Sequence, residues 1–171
     1  NQDGSVQLQL AETEIGQGAD TAFSQMAAEE LGIPLKKVHI ISSQDTDVTP
    51  FGTGAYASRQ TYVGGFAVQR IMKERILSYA HELTRMTVHN LDIEDGYIIN
   101  INNSRRLMSL AELATTALYS LEHSQHITAE STYQVKSNAY SFGCSFAEVE
   151  VDMSLCKIKV LRLMNVHDCG K

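Results

Sequence analysis

The sequence predicts an α+β fold, a two-layer arrangement of mixed β-sheet with helices packed on it, in the order β-α-β-α-ββ-α-βββ. Three observations carry this. Short segments with strand-like patterning open and close the chain. Long segments with apolar residues at helical spacing lie between them. A strand–helix–strand run near the start calls for at least one right-handed crossover.

Each element has its own signal. Val6-Gln7-Leu8-Gln9-Leu10 alternates apolar and polar residues, as a half-buried strand does. Phe23, Met26, Ala27 and Leu31 then recur at helical spacing, and Gly32 with Pro34 ends that helix. Lys37 to Ser42 is β-branched and reads as a strand. The connection from Gln44 to Ala57 has roughly 14 residues, and connections of that length are usually functional or disordered. A long helix follows, with Val63, Phe66, Ala67, Ile71, Leu77, Ala80 and Leu83 on one stripe. Leu91-Asp92-Ile93 and Tyr97-Ile98-Ile99 flank Glu94-Asp95-Gly96, a strong hairpin signal. Ser109 and Glu112 form a capping box for a third helix with the stripe Leu110, Leu113, Ala114, Ala117, Leu118 and Leu121. Ile127 to Tyr133 is expected to be a strand. Ala147, Val149, Val151 and Met153 line one side of the next strand, and Glu148, Glu150 and Asp152 the other. A hairpin through Ser154 and Leu155 leads to Lys157–His167, apolar on both faces and so expected to be buried.

Composition bounds the function. The 171 residues suffice for one domain with a sizeable core, or two small lobes. A net charge of −6 disfavours nucleic acid as a partner. No window approaches about 20 consecutive apolar residues, so no membrane span is expected. No signal peptide is evident. Three scattered cysteines, Cys144, Cys156 and Cys169, read as reduced thiols of a cytoplasmic protein. The chain starts at Asn1, enters a strand quickly and stops just after another, as an internal fragment of a longer protein would.

Two glycine turns stand out. Gly52 and Gly54 precede Ser58 and Arg59, where the long helix is expected to begin. There a hydroxyl, a guanidinium and free backbone N–H groups can converge on one anion. Gly16-Gln17-Gly18 makes the same strand–glycine–helix transition earlier. Thr21 stands where a dinucleotide-binding Gly-x-Gly-x-x-Gly has its last glycine, and no Gly-Lys-[Ser/Thr] occurs. Together the turns suggest one elongated, phosphate-bearing ligand. The six histidines lack metal-ligand spacing. Glu148, Glu150 and Asp152 read as a solvated strand face, and Cys169 has no visible His or acid arranged around it.

Four stretches carry a resemblance: Thr13-Glu14-Ile15-Gly16-Gln17-Gly18; Gly52-Thr53-Gly54-Ala55-Tyr56-Ala57-Ser58-Arg59-Gln60; Val63-Gly64-Gly65; and Glu148-Val149-Glu150-Val151-Asp152 leading to Asn165-Val166-His167-Asp168-Cys169-Gly170. In this order they resemble the molybdenum-cofactor-binding subunit of the xanthine dehydrogenase/aldehyde oxidase family, in its bacterial separate-subunit form. The resemblance implies molybdenum–molybdopterin as cofactor, in its cytosine dinucleotide form in many bacteria. It implies hydroxylation of a purine-like N-heterocycle or an aldehyde with water-derived oxygen. Iron–sulfur clusters and FAD are then expected on other domains or subunits, and the remainder of the same subunit is a further partner.

Carried onto this sequence, the resemblance assigns Gly16, Gln17 and Gly18 to the surroundings of the molybdenum centre. Gly54, Tyr56 and Ala57 fall beside cofactor and substrate, and Ser58, Arg59 and Gln60 hold the pterin phosphate. No residue is assigned as a direct metal ligand. The family's catalytic glutamate, in a Gly-x-Gly-Glu motif, and its phenylalanine–glycine loop and substrate arginine have no counterpart here. The stretch 1–171 is thus expected to be a molybdopterin-binding fragment, inactive by itself and divisible into sub-lobes 1–90 and 91–171. Tyr56, where many relatives have small residues, is expected to narrow the substrate space, and Leu155-Cys156 replaces the usual Thr-Gly turn. Two competing readings are a non-catalytic module that binds a phosphorylated ligand or molybdopterin, in an assembly or carrier role, and a hydrolase using Cys169 or the carboxylate strand.

Overall fold

A computed structural model describes the chain except for residues 42–44, 46, 53, 132, 138–139 and 169–171; the side chains of Arg70 and Ile71 are also outside the description. Ser42, Thr53, Cys169 and Gly170, and the Ile71 side chain of the helical stripe, therefore lie outside the described residues. The elements are β1 (Val6–Gln9), α1 (Ala19–Leu31), β2 (Val38–Ile41), α2 (Gln60–Thr84), β3 (Leu91–Glu94), β4 (Tyr97–Asn100), β5 (Arg105–Ser109), α3 (Leu110–Tyr119), β6 (Phe142–Asp152) and β7 (Lys157–Asp168). They form two compact units, Asn1–Ser137 and Asn138–Lys171. The division falls after Ser137 rather than after residue 90, because β3, β4 and α3 bury Leu91, Ile98 and Leu113 in the same core as Phe23 and Tyr79.

The first unit is α+β, as expected, but its strands do not join into one mixed sheet. β1 and β2 pair in parallel with Val6 opposite Val38 and Leu8 opposite Ile40, the connection running through α1. β3, β4 and β5 form a separate antiparallel sheet in that order. Asp95 and Gly96, both at positive φ (50° and 75°), make the β3–β4 turn at the Asp-Gly pair.

The helices pack closely. A Cβ on Gly64 would lie 2.6 Å from the Phe23 ring, and one on Gly65 would lie 2.8 Å from the Met26 sulfur. Only glycine lets α2 approach α1 this far. Lys73 on α2 reaches Asp92 on β3 at 2.8 Å and Glu30 on α1 at 3.7 Å. Its hydrogen bond to Asp92 raises the Lys73 pKa despite partial burial. The core centres on the fully buried Tyr79, Phe23, Leu31, Ile98 and Leu113. Phe66, placed on the α2 stripe by its spacing, is instead half-exposed, and so is Leu118 of α3, while Leu121 lies beyond α3 and is fully exposed.

Two strand expectations are corrected. None of the described residues from 127 to 133 is in a strand. The apolar positions there pack on the helices instead: Ile127 lies against the core, and Tyr133 stacks on Phe66 at 5.0 Å. Nearby, Arg75 donates to Gln125 at 2.8 Å, and Tyr79 Oη donates to the carbonyl of His123 at 2.8 Å. Conversely β5, whose Arg105-Arg106-Leu107-Met108 shows no clean alternation, forms by pairing with the free edge of β4. Arg106 anchors it, 3.1 Å from Asp95 and with its guanidinium 4.4 Å from the Tyr97 ring centre.

The second unit is the antiparallel β6–β7 hairpin, running from Phe142 opposite Asp168 to Asp152 opposite Lys157. Asp152 Oδ1 accepts from the backbone N–H groups of Ser154 and Leu155, both at 2.9 Å, and closes the turn. The burial expected for Lys157–His167 is not found: every residue of both strands is exposed.

Candidate functional site

The two glycine turns meet. Gln17 Nε2 donates to Gln60 Oε1 at 2.6 Å. Both amides also donate to the carbonyl of Thr13, from Gln17 at 3.0 Å and from Gln60 at 2.9 Å. Gln60, the first residue of α2, is buried; Gln17 is held from its other end by the Ile15 N–H, which donates to Oε1 at 2.7 Å. So the two stretches expected to share a site touch through Gln17 and Gln60.

The turns differ in how their N–H groups are used. Glu14 accepts from the backbone N–H groups of Gly16 (2.7 Å), Gly18 (3.0 Å) and Asp20 (3.0 Å). It thereby caps the start of α1 with an anion of the protein's own. These bonds, from Asp20 first, hold its carboxyl below the usual range. The first turn is therefore satisfied internally.

At the start of α2, Arg59 occupies the N-cap position and makes no side-chain capping bond, and the first turn of the helix carries no acid. Ala57 and Ser58 precede it at positive φ, 51° and 55°. Two adjacent non-glycine residues there are strained, a condition that clusters at ligand sites. Arg59 Nη1 donates to the Gly54 carbonyl at 3.0 Å and lies 3.6 Å from the Glu12 carboxylate. Its guanidinium carbon sits 5.4 Å from the centre of the half-exposed Tyr56 ring. The guanidinium is thus turned back onto the loop.

Glu12 and Glu14 were not among the expected site residues. Each had a signal. Glu12 is in phase with Val6, Leu8 and Leu10, so the alternation places an acid on the apolar face. Glu14 lies a few residues before a helix whose N-cap is glycine, where a carboxylate can reach back to the orphan N–H groups.

A cleft of about 640 Å³ lies apart from the turns, between β1, α2, α3 and residues 126–131, lined by Leu8, Val68, Ile76, Leu113 and Ile127. None of the nine candidate residues lines it. On β6, register puts Glu148 opposite Arg162, Glu150 opposite Lys159 and Asp152 opposite Lys157, so opposite charges face each other across the ladder. Among the described residues no group of His, Cys, Asp and Glu could hold a metal ion. Among them, too, no helix is long and apolar enough to cross a membrane.

A family model described as a molybdopterin cofactor-binding domain matches residues 1–171. The chain belongs to this family.

Over 99% of its length the domain is 45% identical to the putative xanthine dehydrogenase molybdenum-binding subunit of Escherichia coli strain K12, covering 23% of that protein. It is 29% identical to the carbon monoxide dehydrogenase large chain of Afipia carboxidovorans, over 98% of this chain and 21% of that one. The crystal structure of quinoline 2-oxidoreductase from Pseudomonas putida 86 superposes with a TM-score of 0.82 at 27% identity, over 99% of this chain and 22% of that one. The domain therefore spans about a quarter or less of the length of these relatives.

The fit to such a cofactor can be judged from the turns themselves. Gly16, Gly18 and Gly54 all have positive φ, and apart from each glycine's own chain neighbours no described heavy atom lies within 4 Å of where a Cβ would stand on any of them. These backbones face open space on that side. An anionic group can approach Gly54, with Arg59 and the α2 N-terminus adjacent, while Gly16 and Gly18, their N–H groups taken by Glu14, leave room beside it. The residues present fit a phosphate-bearing cofactor.

Proposed function

We propose that this chain holds the molybdenum–molybdopterin cofactor of a molybdenum hydroxylase across its two glycine turns, in the cytosine dinucleotide form. The observation that carries this is the junction of the turns through Gln17 and Gln60, with Arg59, whose side chain makes no capping bond, at the head of α2. Ser58, Arg59 and Gln60 receive the phosphate, where the helix dipole and the guanidinium both favour negative charge. Gly16, Gly18 and Gly54 admit the ligand to the backbone. Gln17 orients it through the turn that its own hydrogen bonds fix, and Tyr56 and Ala57 border the substrate space.

When bound, the cofactor supplies the oxidation chemistry, and the protein's own part is to bind, orient and shield it. The whole protein is proposed to hydroxylate a purine-like N-heterocycle or an aldehyde with water-derived oxygen, and to pass electrons to iron–sulfur clusters and FAD on other domains or subunits. Relatives named as a subunit and as a large chain support such an assembly. The exposed free thiols of Cys144 and Cys156 suit a reducing cytoplasm.

The test is Arg59→Ala in the full-length protein, with molybdenum measured by mass spectrometry and pterin by the fluorescence of its oxidised form. A loss of roughly tenfold in both is expected for one charge-assisted phosphate contact. Full occupancy would overturn the phosphate assignment.

A further inference from the structure

An acid is the residue least expected beside a phosphate site, yet Glu12 is there. Its side chain is 8% exposed, and a Cβ built on Gly64 would touch its Cγ at 3.4 Å, so it lies against α2 near its start. One carboxylate oxygen, Oε1, stands 3.6 Å from Arg59 Nη1. The other, Oε2, is buried and has no hydrogen-bond partner among the described residues. Burial raises the Glu12 pKa, and the Arg59 charge only partly opposes it.

The pairing is therefore loose and half-satisfied. It exceeds the usual length of a charge-assisted hydrogen bond and leaves one oxygen with none. A tight pair would lock the arginine permanently. With no pair, only the Gly54 carbonyl and the Tyr56 ring would hold the guanidinium. A loose one holds it over the loop while letting a better anion take it.

We propose that Glu12 is a positioning residue for Arg59: it holds the guanidinium over the Gly54 turn and competes with an arriving phosphate for it. Glu12 thereby sets the affinity of the site for anions. This rests on the reading of Arg59 as a phosphate ligand.

The experiment uses the full-length protein prepared without cofactor and titrated calorimetrically with inorganic pyrophosphate. Glu12→Gln keeps the shape and removes the charge, so it should tighten pyrophosphate binding by roughly tenfold. Arg59→Ala should weaken binding by a similar factor. In the Arg59→Ala background, Glu12→Gln should change nothing, since the carboxylate acts through the arginine. Thermal unfolding confirms that each variant folds, and Glu12→Ala, expected to act in the same direction, replaces Glu12→Gln if that variant does not. Unchanged binding in Glu12→Gln alongside weakened binding in Arg59→Ala overturns the role of Glu12 and leaves the phosphate site standing. An equal gain from Glu12→Gln with or without Arg59 also overturns it, because the effect would then be one of general charge. Unchanged binding in Arg59→Ala removes the phosphate site, and this inference with it.

Discussion

Gln17 and Gln60, 43 positions apart, share a hydrogen bond of 2.6 Å that joins the two glycine turns. Each amide is also anchored on the same Thr13 carbonyl, so the pair behaves as a unit. Double-mutant cycles report such coupling. We expect Gln17→Ala and Gln60→Ala to couple by about 1 kcal/mol in urea unfolding. Gln60→Ala should be the costlier single change because Gln60 is buried. Strictly additive effects would show that the turns are not joined in solution.

The contact between α1 and α2 makes a graded prediction. Gly64→Ala drives a methyl to 2.6 Å from Phe23, a fully buried ring with nowhere to go. Gly65→Ala meets the Met26 sulfur at 2.8 Å, on a side chain that can change rotamer. Gly64→Ala should cost about 2–3 kcal/mol and Gly65→Ala no more than about 1 kcal/mol. Chemical denaturation measures both, and a reversed order would contradict the packing described.

Acid should release the Glu14 cap. The backbone N–H groups that bond Glu14 hold its carboxyl below the ordinary value of 4.5, so the unfolded chain takes up that proton more readily than the folded one. Its contribution is complete above about pH 4.5 and is lost as pH falls through the lower folded value. Glu14→Gln should therefore lower Tm at neutral pH and converge on the wild type as acid protonates the folded carboxyl. A Tm deficit that does not shrink with acid would mean that the carboxylate charge plays no part.

Tyr79 tests the segment after α3. The residue is fully buried and its hydroxyl donates to the His123 carbonyl, so Tyr79→Phe should cost about 1 kcal/mol. Hydrogen exchange around residues 121–127 should speed up with it. Unaltered exchange there would mean that this bond does not hold the segment.

How much of this could be read in advance depends on the range of the signal. Gly32 ends α1 at φ 56°, Asp95-Gly96 makes a tight hairpin, and Ser109 with Glu112 closes a reciprocal cap through bonds of 2.7 and 3.1 Å. Each depends on dihedral preference or hydrogen bonding across a few residues, and each was legible. β5 and residues 127–133 were not. Arg105–Ser109 has weak strand patterning and pairs because β4 offers an open edge, whereas Ile127 and Tyr133 look strand-like but find α2 and the core.

The candidate site divides along the same line. Two glycine turns before two helices, and an arginine at the head of the second, stand in the residue order itself, because positive φ and helix initiation are local properties. Which anion meets which N–H group does not. Glu14 fills the first turn, and Glu12 draws Arg59 back across the second over 3.6 Å. The first outcome closes within a few residues of chain, whereas the second requires the chain to bring α2 beside the loop after β1 and to bury a carboxylate between them. Only the tertiary structure decides that, because the strength of a charge pair depends on the dielectric and on partners that distant segments supply.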